Sequence, residues 1–276
     1  MNDKKRKILR YLGIIMIIIP LIYFGYSFYN VKKGEIDHKK DLKAVDKIDN
    51  NLKNDLKKID EEIKKDSDQK LKKEKVKSPE EIKKEKEAAY KNYVGNLQNQ
   101  FNNRDVIGQL VVNKTNINYT LVKSHDNNEY LYINSYKGYD YRGAIFMDKD
   151  NNRDFSDFNT RIYGHRMLYE NTMFSQLRYF LDQNFVNSGN NYFKITSTSG
   201  EKIYDICASF VIPNDKGYAP INYESYFVKD IKEKSVVNFG VDINYSDNFV
   251  TLITCKPARG GFAAKERVAV VGKLRK

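Results

Sequence analysis

The chain has 276 residues, and its 48 Lys and Arg against 36 Asp and Glu give a formal charge of +12. That excess is spread evenly, +4 on each of residues 1–31, 32–91 and 92–276, so no segment carries the clustered basic face that nucleic-acid binding needs, and no nucleic-acid partner is expected. With only two cysteines, Cys207 and Cys255, a disulfide framework is excluded, and a hydrophobic core has to hold the fold.

Tyr11 to Val31 is a run of 21 residues without a charge, and a bilayer core needs about 20. Lys4, Lys5, Arg6, Lys7 and Arg10 precede it, so the positive-inside rule predicts a cytoplasmic tail (1–10), a transmembrane signal anchor in membrane lipid (11–31) and an extracellular remainder. A cleaved signal peptide is the rival, but the run exceeds a typical h-region and lacks a small-x-small cleavage site. Pro20, in mid-span, is tolerated in membrane helices.

Residues 32–78 read as a charged helical stalk or linker. Residues 32–91 hold twenty Lys and Arg and sixteen Asp and Glu, with no aromatic residue before Tyr90. Val45, Ile48, Leu52, Leu56, Ile59 and Ile63 recur every three or four residues, a narrow apolar stripe on a charged rod. The expectation is a solvated spacer, with a coiled-coil dimer as the alternative. Ser78-Pro79-Glu80-Glu81 restarts a helix, with Ser78 as N-cap, Pro79 at N1 and Glu81 completing a capping box. Ile82, Ala89, Tyr93, Leu97 and Phe101 then share one face for packing on the domain that follows, which spans 79–276 with this helix.

Beyond Arg104 the period becomes that of strands, near 106–112, 117–122, 143–147, 160–164, 192–197, 202–211, 249–254 and 267–274, separated by turn signals such as Asn113-Lys114-Thr115-Asn116 and Ser199-Gly200. Helical stretches are predicted at about 172–182 and 223–238. Eight short strands without βαβ alternation predict a mainly β fold, an eight-stranded barrel with peripheral helices.

Three histidines are present. His38 lies in the stalk and His125 in an Asn/Asp-rich loop, whereas His165 ends the strand Asn159-Thr160-Arg161-Ile162-Tyr163-Gly164-His165, where Gly164 is read as letting the backbone turn. Cys255 ends Phe249-Val250-Thr251-Leu252-Ile253-Thr254-Cys255 in the same way. Cys207, inside Ile206-Cys207-Ala208, reads as a small buried hydrophobe, with a Cys207–Cys255 disulfide as the alternative. Arg267 opens the last strand, and antiparallel pairing with 249–254 would bring it near Cys255. Asp148-x-Asp150-x-Asn152-x-Asp154 imitates the start of a calcium loop, but Arg153 stands where Gly is needed and Asn159 where Glu is needed, so a solvated turn and no metal is the expectation.

The segments 159–165, 251–255 and Arg267-Val268-Ala269-Val270-Val271-Gly272-Lys273-Leu274 resemble, in order and content, the three signature strands of the sortase family. Asp126-Asn127-Asn128-Glu129-Tyr130-Leu131 and Arg142-Gly143-Ala144-Ile145-Phe146-Met147-Asp148 resemble its class B subgroup, as does a helix between the sixth and seventh strands. The resemblance implies a cysteine transpeptidase without cofactor. Cys255 would be the nucleophile, His165 the general acid/base and Arg267 the oxyanion stabiliser, while Asn127, Leu131, Tyr218, Ile253 and Thr254 would bind substrate. The implied partners are secreted proteins bearing a sorting motif and an amine of the peptidoglycan peptide. The sequence holds no LPxTG-like motif and no C-terminal hydrophobic tail, which resembles the anchoring enzyme and not its substrate. It departs from the class B pattern at Ile253, where Ser is usual. The alternatives are a sortase of another class, such as a pilus polymerase, and a non-catalytic membrane-tethered binding module.

Overall fold

The computed structural model describes residues 3–68, 77–167, 171–213, 224–254 and 266–276. Helix α1 (Asp3–Asp68) runs without a break from the apolar segment into the charged one. Within it, Arg10–Tyr29 is long and apolar enough to cross a membrane, about 30 Å at 1.5 Å per residue. The chain divides into two compact units, Met1–Ala44 and Val45–Lys276.

In the second unit α2 (Pro79–Phe101) starts as its sequence predicts. Glu81 N donates to Ser78 Oγ at 3.2 Å and Ser78 N to Glu81 Oε2 at 2.7 Å, with Pro79 in the first turn. Ala89, Tyr93, Val94, Leu97 and Phe101 are buried. The α1 stripe differs from expectation. Val45, Ile48 and Leu52 are buried in the same apolar cluster as Tyr93 and Leu97, with Leu56 and Ile59 against its edge, so this part of the supposed spacer packs on the domain. Tyr93 Oη donates to Asp49 Oδ1 at 2.7 Å, and Lys86 pairs with Asp60 and Lys77 with Glu62. A narrow stripe on a charged helix is a pattern that a solvated rod and a helix packed on its own chain share in sequence.

Eight strands close a barrel: β1 (Val106–Val112), β2 (Asn118–Val122), β3 (Ile145–Met147), β4 (Asn159–Gly164), β5 (Tyr192–Ser197), β6 (Gly200–Pro213), β7 (Phe249–Thr254) and β8 (Glu266–Leu274), in the spatial order β1-β2-β3-β4-β7-β8-β6-β5. Two pairs are parallel, β2–β3 and β4–β7. Alternate residues such as Leu110, Val112, Ile145, Met147, Ile162, Val250, Leu252, Val268 and Val270 fill one cluster. The opposite faces are also covered. Val106, Val122 and Phe146 pack with α2, while Phe210, Phe249, Ala269 and Val271 pack under Phe227, Val228 and Ile231 of α4 (Glu224–Lys234). Burial on both faces is why every residue of β7 is buried and why the middle of β8, Val268–Val271, reads as an unbroken apolar run rather than an alternating one.

The helix expected at 172–182 is a 3-10 segment, Ser175–Leu181, followed by the short helix α3 (Gln183–Asn187) with Asp182 as N-cap. The third strand is shorter than expected. Gly143 adopts φ +60°, outside the β region, and Ala144 N donates to Tyr130 O at 3.0 Å instead of joining the sheet. The calcium-loop imitation is not a solvated turn throughout. Asp148 is buried, accepts from Tyr163 Oη at 2.8 Å and pairs with Arg161 at 3.0 Å, fastening the end of β3 to β4.

Candidate active site

The site is laid out by the register of β4 on β7. The two run parallel, and Gly164 lies opposite Thr254, so the residues that continue the two strands in sequence are His165 and Cys255. β8 runs antiparallel to β7, with Ile253 opposite Ala269, and it begins at Glu266 and Arg267. Thr254 Oγ1 accepts from Val268 N at 2.8 Å, which binds the end of β7 to the start of β8 beside Arg267.

Gly164 has a role other than the one its sequence suggested, because it does not have a positive φ. A Cβ there would lie 2.3 Å from Ile145 Cδ1 and 2.9 Å from the ring of Phe174, so glycine is required by close packing and not by a turn. The imidazole does not emerge freely from the barrel either: His165 is 3% exposed. Its Nε2 lies 2.7 Å from the carbonyl oxygen of Leu131, and its ring centroid is 6.0 Å from that of Tyr132, tilted by 41°. Its own carbonyl accepts from Phe174 N at 3.0 Å.

The other sequence candidates fall in different settings. Leu131 ends the 3-10 turn Glu129–Leu131; its side chain is partly buried against the α2 cluster and its backbone carbonyl meets His165. Asn127 Oδ1 accepts from Lys149 N at 2.8 Å, joining the 126–128 turn to the segment after β3. Ile253 and Thr254 are buried at 1% exposure each, and Arg267 is partly buried, level with Ile212 of β6. Cys255, Tyr218 and all but the last residue of the 256–266 connection lie outside the described residues. His125 is exposed, 3.6 Å from Asp126.

The other thiol is unsuited to chemistry. Cys207 is free, sits at the register irregularity between Ile206 and Ala208 of β6, and donates to Val271 O at 3.4 Å. Burial pushes its thiol up to about 12, so almost none is thiolate at neutral pH. Sequence reasoning missed the backbone carbonyl of Leu131 and the contribution of Tyr132. Backbone acceptors leave no residue-type signature, and a tyrosine in a loop has no periodicity to mark its direction.

Comparison with known proteins gives the family and the fold. Residues 110–275 match the model of the sortase domain. Sortase B of Listeria monocytogenes is 31% identical over 202 residues, which are 68% of this chain and 79% of that protein. The Staphylococcus aureus sortase B–substrate complex superposes with a TM-score of 0.61 at 26% identity, covering 67% of this chain and 85% of that one. A mutant form of Clostridium perfringens sortase B gives a TM-score of 0.60 at 28% identity, covering 70% and 90%. With the fold and the sequence in agreement, the chain belongs to the sortase family of cysteine transpeptidases, and the relatives it resembles are of class B.

Proposed function

We propose that the chain is a membrane-anchored thiol endopeptidase and transpeptidase that cleaves the C-terminal sorting motif of secreted proteins and joins them to a peptidoglycan amine. The observation that carries the reading is the parallel register of β4 and β7, which ends at Gly164 and Thr254, one residue before His165 and Cys255. In this mechanism the Cys255 thiol gives its proton to His165 and its sulfur attacks the carbonyl carbon of the scissile peptide bond. The Arg267 guanidinium, permanently charged and planar, stabilises the resulting oxyanion. Collapse of the tetrahedral intermediate breaks the C–N bond, and His165 protonates the departing amine. A cell-wall amine then attacks the thioester, loses its proton to His165, and releases the product as a new amide with the thiol restored. Water in place of that amine gives hydrolysis. Asn127, Leu131, Tyr218, Ile253 and Thr254 are proposed to bind the peptide, the buried Thr254 by supporting the groove floor from beneath.

The proposed layout is a cytoplasmic tail at 1–10, a single membrane span at 11–31, a charged stalk or linker at 32–78 and an extracellular catalytic domain at 79–276. The apolar helix Arg10–Tyr29 and the basic residues before it support this topology. The test is full-length protein in detergent micelles, given fluorogenic sorting peptides with and without a glycine-based amine. Cleavage through a Cys255 acyl-enzyme trapped at low pH is expected, with amine raising product yield. Cleavage by Cys255→Ala at the wild-type rate would overturn the reading.

A further inference from the structure

The contact between His165 and Leu131 determines which imidazole nitrogen is the base. A carbonyl oxygen can only accept, so the 2.7 Å contact places a proton on His165 Nε2. In the neutral ring Nδ1 then holds the lone pair. The backbone on either side of this carbonyl is held in place. The carbonyl before it, Tyr130 O, accepts from Ala144 N at 3.0 Å, and the one after it, Tyr132 O, accepts from Asp140 N at 2.9 Å. Residues 140–144 therefore grip the backbone on both sides of Leu131. That grip is itself built. Arg142 is buried and bidentate on Asp140, through Nε to Oδ1 and Nη2 to Oδ2 at 3.0 Å each, and Gly143 N donates to Asp140 O at 2.9 Å.

Gly143 lies directly against the gripped carbonyls. Its φ of +60° is one that L side chains rarely adopt, and a Cβ there would sit 2.3 Å from Tyr130 O and 2.7 Å from Leu131 O. Both distances are to backbone, which cannot rotate away. We infer that the Leu131 carbonyl, braced by Gly143, is the positioning group that keeps the His165 proton on Nε2 and leaves Nδ1 as the base for the Cys255 thiol. The inference rests on the proposed roles of His165 and Cys255. It also accounts for a segment the mechanism did not use, the Arg142-Gly143-Ala144 sequence, as a brace for the histidine.

The test uses the full-length chain in micelles, labelled with 15N-histidine, with the His165 resonances identified by their loss in His165→Ala. Long-range 15N–1H spectra distinguish the two tautomers directly. The wild type is expected to show a protonated Nε2 and an unprotonated Nδ1. Gly143→Ala is expected to admit the other tautomer and to lower kcat by about 10²-fold, the cost of displacing a reacting group by roughly 1 Å, with KM little changed. A second variant replaces Tyr132 by its α-hydroxy acid, which turns the Leu131 carbonyl into an ester, a weaker acceptor, without adding a Cβ at Gly143. It should change the tautomer and kcat in the same direction, and it decides the matter if Gly143→Ala does not fold. A wild-type His165 protonated on Nδ1 would overturn the inference, as would an ester variant with the wild-type tautomer and turnover. Failure of the proposed function looks different: Cys255 would then form no acyl-enzyme in any variant, the wild type included.

Discussion

At the scale of single residues, the proposed chemistry rests on three side chains, His165 and Cys255, which follow β4 and β7 in sequence, and Arg267, at the start of β8. Cys255→Ala is expected to abolish acyl-enzyme formation, and His165→Ala to remove nearly all turnover, both measured with fluorogenic peptide. Arg267→Lys keeps the charge but loses the planar donor fork, so a loss of about 10²–10³ in kcat is expected, as for the removal of one oxyanion donor. The result to look for against this assignment is a wild-type rate in Arg267→Lys. Cys207 provides the control. With its thiol pushed up to about 12 by burial, it should resist iodoacetamide at pH 7.5 for as long as the fold holds, and Cys207→Ala should remain active. Rapid native labelling at Cys207, read by mass spectrometry, would show that this part of β6 opens.

At the scale of elements, the second half of α1 is part of the catalytic domain's packing. Leu52 is 7% exposed within the cluster that holds Tyr93 and Leu97. Leu52→Asp should therefore lower the melting temperature of the domain by several degrees, each kcal/mol being worth about 2–4 °C in a domain of this size. An unchanged melting temperature would return the helix to the status of a solvated spacer. Asp49 adds a pH dependence. Desolvation raises its pKa above 3.8, against weaker opposing contributions from Tyr93, Lys194 and Gln109. The folded state thus holds the proton more tightly than the unfolded one, and ionising Asp49 costs folded-state stability as pH rises through its folded pKa. Asp49→Asn should melt at least as high as the wild type at pH 7, with the difference shrinking as pH falls towards 4. A variant that is less stable at pH 7 would mean that the charge itself is needed, through Lys194 or Lys53.

At the scale of the whole molecule, the apolar run at Arg10–Tyr29 and the charges before it predict one orientation. Protease added to intact protoplasts should degrade the domain and leave a small anchored fragment, detected with an N-terminal tag. Full protection of the domain would reverse the topology. The proposed membrane anchor and outside reaction also fit the sparing use of cysteine. Cys207 sits free within the fold, so an oxidising surroundings would leave this thiol to its burial for protection.

What the sequence determined by itself was whatever depends on local chemistry and period. The capping box is a reciprocal contact between Ser78 and Glu81, three positions apart, and it forms as read. The eight strands declare themselves through apolar runs and turn residues, and the fourth and seventh lie where those runs place them. Three motifs in the right order were enough to identify the family. Tertiary structure alone decided the rest, because it turns on which surfaces meet. A stripe at helical spacing says that a face will be covered, and only the fold shows that α2 of the same chain covers it. Gly164 looked like a turn residue and proved to be a packing residue, since the ring of Phe174 and the side chain of Ile145 arrive from distant parts of the chain. The partner of His165 Nε2 is a backbone carbonyl 34 positions away, and a backbone carbonyl is identical at every residue, so no reading of side chains could have found it.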